Sequence, residues 1–267
     1  MRVLLLGATG NLGKRCVPAL LAHNHTLTIY VRNPSKFTSV MSPAIIQRLE
    51  SIVVGDATDS ASIAKTIRDH DIEGIVNVAG NQVLPWKEFL LPKIAKAVAD
   101  AAVAVGRERG VPLRVWITAS LGLLKTSEEK PHLIQESAPW PHITMAQHDT
   151  TRKLIEAIPL TEMRWSLFCV GNMQPLDRQQ TVFEPLDAPR PHNLLLGAMT
   201  MPAWVDSWWV LVPFIGNFFN VWMGLLFRYG TKYEAAADFL AEDLEMGSEE
   251  FLGLRVGMKE KSRLKDE

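Results

Sequence analysis

The stretch Val3-Leu4-Leu5-Leu6-Gly7-Ala8-Thr9-Gly10-Asn11-Leu12-Gly13 sets the reading of the whole chain. Four apolar residues without polar alternation read as a strand buried on both faces, as at the centre of a parallel sheet. Three glycines follow in a GxxGxxG spacing, and a helical pattern, Asn11–Ala22, opens among them. Each glycine has a separate duty at such a junction. Gly7 permits the tight turn, Gly10 lets a pyrophosphate approach the backbone, and Gly13 lets helix and strand pack closely. Thr9, Asn11 and Leu12 belong to the same cradle. The helix end adds free N–H groups and a positive dipole end. The stretch therefore implies dinucleotide binding.

Working outward, strand and helix patterns alternate. Strands are expected at Thr26–Val31, Ser51–Val54, Ile75–Val78, Val115–Ala119 and Trp165–Val170. Helices are expected at Thr58–His70, Glu88–Val105 and Met145–Ile158. Such alternation implies an α/β fold, a Rossmann-type doubly wound parallel sheet. It covers residues 1–175. Five prolines and no clear periodicity follow between Asn172 and Ala203, and Tyr233–Leu244 then reads as an amphipathic helix. Residues 176–267 are expected to form a small, mostly helical substrate cap on the same domain, over the sheet's C-terminal edge, where open α/β sheets bind ligands.

Composition narrows the classes. The chain has 267 residues, 47% apolar and 21% charged, which suits a globular protein and excludes disordered or fibrous ones. Its net charge of −1 provides no field to attract nucleic acid. Cys16 and Cys169 are too few for a disulfide framework or a zinc site, and suit a reducing compartment. The N-terminus does not read as a targeting signal, so a cytoplasmic location is expected. Ser207–Phe227 is 21 residues without a charge. That length reaches across a bilayer, but Pro213, Gly216, Asn217 and Asn220 interrupt it. The expectation is a buried or substrate-capping segment and no transmembrane span, with a membrane-surface contact as the alternative. Nothing in the sequence sets an oligomeric state.

The second strand selects the cofactor. It ends Tyr30-Val31-Arg32-Asn33-Pro34-Ser35-Lys36, without the carboxylate that normally holds a ribose 2′-OH. Arg32 suits a 2′-phosphate, assisted by Ser35 or Lys36, so NADP is expected over NAD. Asp56 and Ala57 close the third strand, where Asp56 is placed to accept from an adenine amino group. Ala79 and Gly80 follow the fourth strand and allow close approach of a ribose.

Gly7–Gly13, Val31-Arg32-Asn33-Pro34, Gly55-Asp56-Ala57 and Asp59 together resemble the atypical short-chain dehydrogenase/reductases with NmrA-like domains, over about residues 1–175. Arg228-Tyr229-Gly230-Thr231-Lys232-Tyr233 and Ser248-Glu249-Glu250 extend the resemblance to the averufin-oxidase-like oxidoreductases of fungal aromatic polyketide clusters. The resemblance implies a Ser or Thr after the fifth strand and Tyr-x-x-x-Lys on the next helix. Ile117-Thr118-Ala119-Ser120 fits the first part, with Ser120 catalytic and Thr118 beside the cofactor. The second part fails, because the three tyrosines are Tyr30, Tyr229 and Tyr233. Aligning the usual Tyr-x-x-x-Lys-x-x-x-Glu on Glu156 puts His148 in the Tyr position and Arg152 in the Lys position, on one helix face. A histidine of ordinary pKa suits proton transfer near neutrality. Lys153, partnered by Asp149, is the rival for the ribose role.

The resemblance also implies substrate contacts at Asn172 and Met173, after the sixth strand. Trp86, Trp204, Trp208 and Trp209 are candidates to wall an aromatic pocket, against the blander reading of tryptophan as core. His192, Asp187 and Glu184 lack metal-ligand spacing, so no metal is assigned. The leading functional reading is an NADP-dependent oxidoreductase acting by hydride transfer on a hydrophobic, aromatic, polyketide-like small molecule. The alternatives are a non-enzymatic NmrA-like dinucleotide sensor, and a non-redox isomerase or cyclase on the same fold.

Overall fold

The computed structural model describes residues 1–80, 88–137 and 141–261. The chain opens with β1 (Arg2–Leu6), α1 (Gly13–Ala22) and β2 (Thr26–Val31). Two short helices follow, α2 (Pro34–Thr38) and α3 (Pro43–Ile46), then β3 (Ser51–Val54), α4 (Ser60–Asp69), β4 (Gly74–Asn77) and α5 (Leu90–Arg109). Next come β5 (Arg114–Ser120), α6 (Pro141–Glu156) and β6 (Arg164–Val170). The remainder holds β7 (Met173–Gln174), β8 (Leu194–Ala198), α7 (Gly216–Phe227), β9 (Thr231–Lys232), α8 (Tyr233–Met246) and β10 (Arg255–Glu260).

Local chemistry explains the boundaries. Asp59 caps α4 by accepting from the Ala61 and Ser62 amides at 3.0 and 3.1 Å. Asn33 caps α2 by accepting from the Lys36 amide, with Pro34 at the first helical position. Gly110 ends α5 in the left-handed region, φ 69°.

Among the described residues, one sheet runs β3-β2-β1-β4-β5-β6-β10-β8, and a separate pair joins β7 to β9. Every pairing in the large sheet is parallel except β10 with β8. Val3, Leu4, Leu5 and Leu6 are all fully buried. Their alternation sorts them between the two faces. Leu4 and Leu6 pack with Ile63 and Ile67 of α4 and Val98 of α5, while Val3 and Leu5 pack with Val17 and Leu20 of α1 and Leu240 and Leu244 of α8. The sheet is thus doubly wound. Its strand order reverses between β1 and β4, and in such sheets ligands bind outside the carboxyl ends at that point.

Beyond residue 170 no strand is expected from the sequence, and there the structure adds β8 and β10 to the central sheet. β8 is a short leucine run among prolines, and β10 borders a charged tail, so neither carries a strong local signal. Their pairing supplies the strand state: Met258 lies opposite Leu196, and Val256 opposite Ala198. Helix α8 covers the same sheet face as α1. Polar ties fix it there: Arg15 Nε to Glu234 at 2.5 Å, His23 Nδ1 to Glu245 at 2.6 Å, and Arg114 to Asp243 at 2.9 Å.

The segment Ser207–Phe227 departs from its expected burial. Pro213 and Gly216 break the apolar run into a short 3-10 turn, Trp208–Leu211, and an α-helix, α7, over residues 216–227. Trp208, Leu211, Phe214 and Ile215 are all exposed. They do not cap the interior. Among the described residues no helix is long and apolar enough to cross a membrane.

Candidate dinucleotide site

A cavity of about 590 Å³ opens outside the carboxyl ends of β1, β2, β3 and β4, at the switch point. Gly7, Thr9 and Gly10 line it from the first turn, Arg32 and Lys36 from the end of β2, Asp56 and Ala57 from β3, and Ala79 and Gly80 from β4. The structure thus gathers nine of the expected cofactor residues around one space.

The turn is built by close backbone approach. Gly7 sits at φ +89°, and a Cβ on it would lie 2.6 Å from the Ala79 nitrogen. A Cβ on Gly13 would lie 2.1 Å from the Gly7 carbonyl oxygen. The Gly10 amide donates to that oxygen at 2.9 Å, closing the turn. Leu12, the N-cap residue of α1, is buried, and no side chain caps the helix. Asn11 is exposed beside it. A pyrophosphate fits this cradle: side chains are excluded where it would lie, and the first-turn amides carry no side-chain cap.

The β2 end of the cavity is cationic. Arg32 and Lys36 are exposed, and neither makes an ion pair among the described residues. Lys14, in the first turn of α1, lies outside the lining. Its pKa is lowered by partial burial first, then by the charges of Arg15 and Lys36. Asp56 Oδ1 accepts from the Thr58 amide at 2.8 Å and its hydroxyl at 2.7 Å. Those bonds, and then Arg32, hold its pKa below the ordinary value. Tyr30 was missed as a wall of the cavity. Its hydroxyl donates to Ser62 Oγ at 2.8 Å, and a Cβ on Gly55 would lie 2.1 Å from its oxygen.

The expected catalytic residues, and Thr118 and Lys153 of the expected cofactor set, lie apart from this lining. Thr118 Oγ1 donates to the Asn77 carbonyl at 3.2 Å, tying β5 to β4. Ser120 is buried at the end of β5, where its Oγ accepts from the Gly122 amide at 3.2 Å. Helix α6 packs against β5 and the turn that follows it. Arg152 on that helix donates to Asp149 at 2.8 and 3.1 Å and to Glu156 at 2.7 Å. Lys153 is exposed and pairs with Asp149 at 2.7 Å. Both cations are paired along their own helix with carboxylates at i,i±3 and i,i±4.

His148 departs from the expected near-neutral titration. Its Nδ1 is buried without a partner among the described residues, and burial pushes the imidazole down to about 4. It is neutral at pH 7, with one ring N–H to donate and one ring nitrogen to accept. Between the unfolded value of 6.5 and about 4, the unfolded chain binds the additional proton, so stability falls as pH drops through that window. His148→Phe should remove about 2 kcal/mol of the loss between pH 7 and pH 4.5. Urea unfolding of both proteins at the two pH values measures it, and identical losses would contradict the buried neutral imidazole.

The substrate candidates also lie elsewhere. Asn172 is exposed, with its carbonyl accepting from the Thr231 amide at 3.2 Å, and Met173 pairs with Thr231. Trp204 stacks on Tyr229 at 5.2 Å and donates to Asp206 at 2.7 Å. Trp208 stacks on Trp209 at 4.2 Å. None of these four lines the cavity, and Trp86 lies outside the described residues. Among the described residues no group of three or more His, Cys, Asp or Glu is placed to hold a metal.

Comparison with known proteins agrees with this geometry. An NAD(P)H-binding family model matches residues 7–189. No curated protein matches the chain. Among solved structures, the anaerobillin reductase ChuY of Escherichia coli O157:H7 is similar at TM-score 0.60 and 13% identity, over 98% of each chain. The oxidoreductase ylbE of Lactococcus lactis is similar at TM-score 0.57 and 12% identity, over 98% of this chain and 91% of that one. A protein from Lactobacillus casei reaches TM-score 0.63 at 13% identity, over 97% and 99%. At such identities these likenesses show the fold. The family match begins at the first glycine of the cradle, directly after β1, and spans β2, β3 and β4 around the cavity, and by it the chain belongs to the NAD(P)H-binding family.

Proposed function

We propose that this protein is an NADPH-dependent oxidoreductase of the atypical short-chain dehydrogenase/reductase type, acting on a hydrophobic, aromatic small molecule. The observation that carries the cofactor choice is the cationic end of the cavity. Arg32 and Lys36 stand where a carboxylate would select NAD. Gly7, Gly10 and the first turn of α1 would hold the pyrophosphate, and Ala79 and Gly80 would border the ribose. When bound, the nicotinamide supplies or accepts a hydride. The hydroxyl of Ser120, at the end of β5, is the chain's candidate for orienting a substrate oxygen. His148, neutral, is the candidate for an N–H hydrogen bond to it. The aromatic substrate class rests on the resemblance carried by Arg228–Tyr233 and Ser248–Glu250. Two free cysteines, both buried, suit the proposed cytoplasmic location.

NADPH should bind at least about tenfold more tightly than NADH, or about 1.4 kcal/mol. Arg32→Asp should abolish or reverse the preference. Titration calorimetry with both cofactors measures this, and equal affinities in the natural protein would refute the assignment. A second reading, a dinucleotide sensor without turnover, is favoured by the missing Tyr on α6, the neutral His148 and the carboxylate-held Arg152. NADPH consumption with a substrate decides between them, because a sensor or a non-redox isomerase leaves NADPH intact.

A further inference from the structure

Residues 205–222 form a projection with polar atoms at its base and apolar side chains at its apex. At the base, buried Asn220 accepts from the Ser207 amide at 2.6 Å and hydroxyl at 2.8 Å, and donates to Asp206 at 2.8 Å. Lys130 pairs with the same aspartate at 3.1 Å. Beyond them the backbone turns sharply. Phe214 has φ 65°, and a Cβ on Gly216 would lie 1.9 Å from the Trp209 carbonyl oxygen. Trp209 stacks on Phe219 at 5.0 Å, which ties the turn to α7. The apex side chains face outward: Trp208 is 65% exposed, Leu211 81% and Phe214 106%. So large an apolar display in one loop is uncommon on a protein that meets only water.

The projection runs directly into a basic groove. A cavity of about 950 Å³ begins at Arg228, one residue after α7, and its other cations are Arg190, Lys232, Lys259 and Lys261. Its carboxylates are Glu234 and Glu260, and Glu234 is already held by Arg15 at 2.5 Å and the Leu176 amide at 3.0 Å. None of the five cations makes an ion pair among the described residues. Arg228 donates to the Val205 carbonyl at 3.1 Å, and Lys259 lies 4.8 Å over the Tyr229 ring, so groove and projection share one base.

Two occupants suit an apolar apex: a second copy of the chain, or lipid. A symmetric dimer needs a self-complementary patch. A fully exposed phenylalanine at the summit of a turn is convex and does not complement itself. A lipid interface needs no preformed socket, accepts tryptophan beside phenylalanine and leucine, and rewards cations behind them when its headgroups are anionic. Helix α7, at 12 residues, is about 18 Å long. That favours lying on a bilayer over crossing one.

We propose that this protein docks reversibly on anionic membrane surfaces. Trp208, Leu211, Phe214 and Ile215 enter the interface, while the groove cations meet lipid phosphates. The proposal is independent of the catalytic reading, because its test scores binding without turnover. The purified full chain is sedimented with sucrose-loaded vesicles of phosphatidylcholine alone, or of phosphatidylcholine with phosphatidylserine. The expected result is recovery in the pellet with the anionic vesicles, weakened by added salt. The paired substitution Leu211→Asp/Phe214→Asp should abolish pelleting. Lys232→Gln/Lys261→Gln should weaken it roughly 25-fold, at about fivefold per cation. All these side chains are exposed or partly exposed, and unchanged NADPH affinity and thermal midpoint would establish that the variants remain folded. Retention of the natural protein in the supernatant with anionic vesicles would overturn the proposal. So would a dimer in analytical ultracentrifugation that Leu211→Asp/Phe214→Asp dissolves, since the apex would then belong to a second copy.

Discussion

Gly7→Ala is expected to lower NADPH affinity by more than about 100-fold, or about 2.7 kcal/mol. Two costs combine. The residue sits at φ +89°, a region that costs an L side chain about 1–2 kcal/mol. Its methyl group would also meet the Val78 carbonyl carbon at 2.7 Å and the Ala79 nitrogen at 2.6 Å. Those are backbone atoms at the end of β4, and no rotamer change relieves the contact. Either the first turn or the Ala79–Gly80 wall must move, and both border the cavity. Gly110→Ala is the control. Its φ is +69° and nothing lies near its missing Cβ. It should cost about 1 kcal/mol of stability and leave NADPH affinity unchanged. Calorimetric titration of both variants makes the comparison. Equal affinities would show that the cradle adjusts and that Gly7 has no special role.

Asp243→Leu should destabilise the fold by about 3–5 kcal/mol. Arg114 and Asp243 form a buried pair at 2.9 Å, with side chains 7% and 1% exposed. The same carboxylate oxygen accepts from the Trp116 indole at 2.8 Å. Burial already pulls the Arg114 pKa down, and Asp243 opposes that effect. Removing the carboxylate leaves a guanidinium in the interior with the Arg164 carbonyl at 3.1 Å and the Trp116 ring, but no counter-ion. The double variant Arg114→Met/Asp243→Leu should recover most of the loss, because an apolar pair carries no desolvation cost. Recovery should be incomplete, since the Trp116 N–H still lacks its acceptor. Urea unfolding of the two single variants and the double measures the coupling. Additive losses would mean that the pair does not act as a unit. The same interaction implies that a chain ending at residue 175 lacks a counter-ion inside its own sheet.

The dinucleotide site was legible because its parts lie next to strand ends. Each of β1 to β4 is followed within a few residues by the groups that line the cavity, so reading the strands located the site. The catalytic expectations were less legible. Spacing on α6 places His148 and Arg152 on one face, but it does not report what else that face meets. Asp149 and Glu156 hold Arg152, and the surroundings of His148 remove the solvation that an imidazolium needs.

By itself the sequence determined the doubly wound sheet through β6, the glycine cradle and the cationic β2 end. These follow from periodicity and backbone freedom over a few neighbouring residues. Only the tertiary structure decided that β10 inserts between β6 and β8, that Asp243 neutralises Arg114 from 129 residues away, and that the apolar run near Phe214 faces outward. Each of these depends on a partner distant in the chain, or on the lack of one. Strand pairing, counter-ion placement and the burial of an apolar side chain are properties of the assembled fold, and a local pattern of residue types does not contain them.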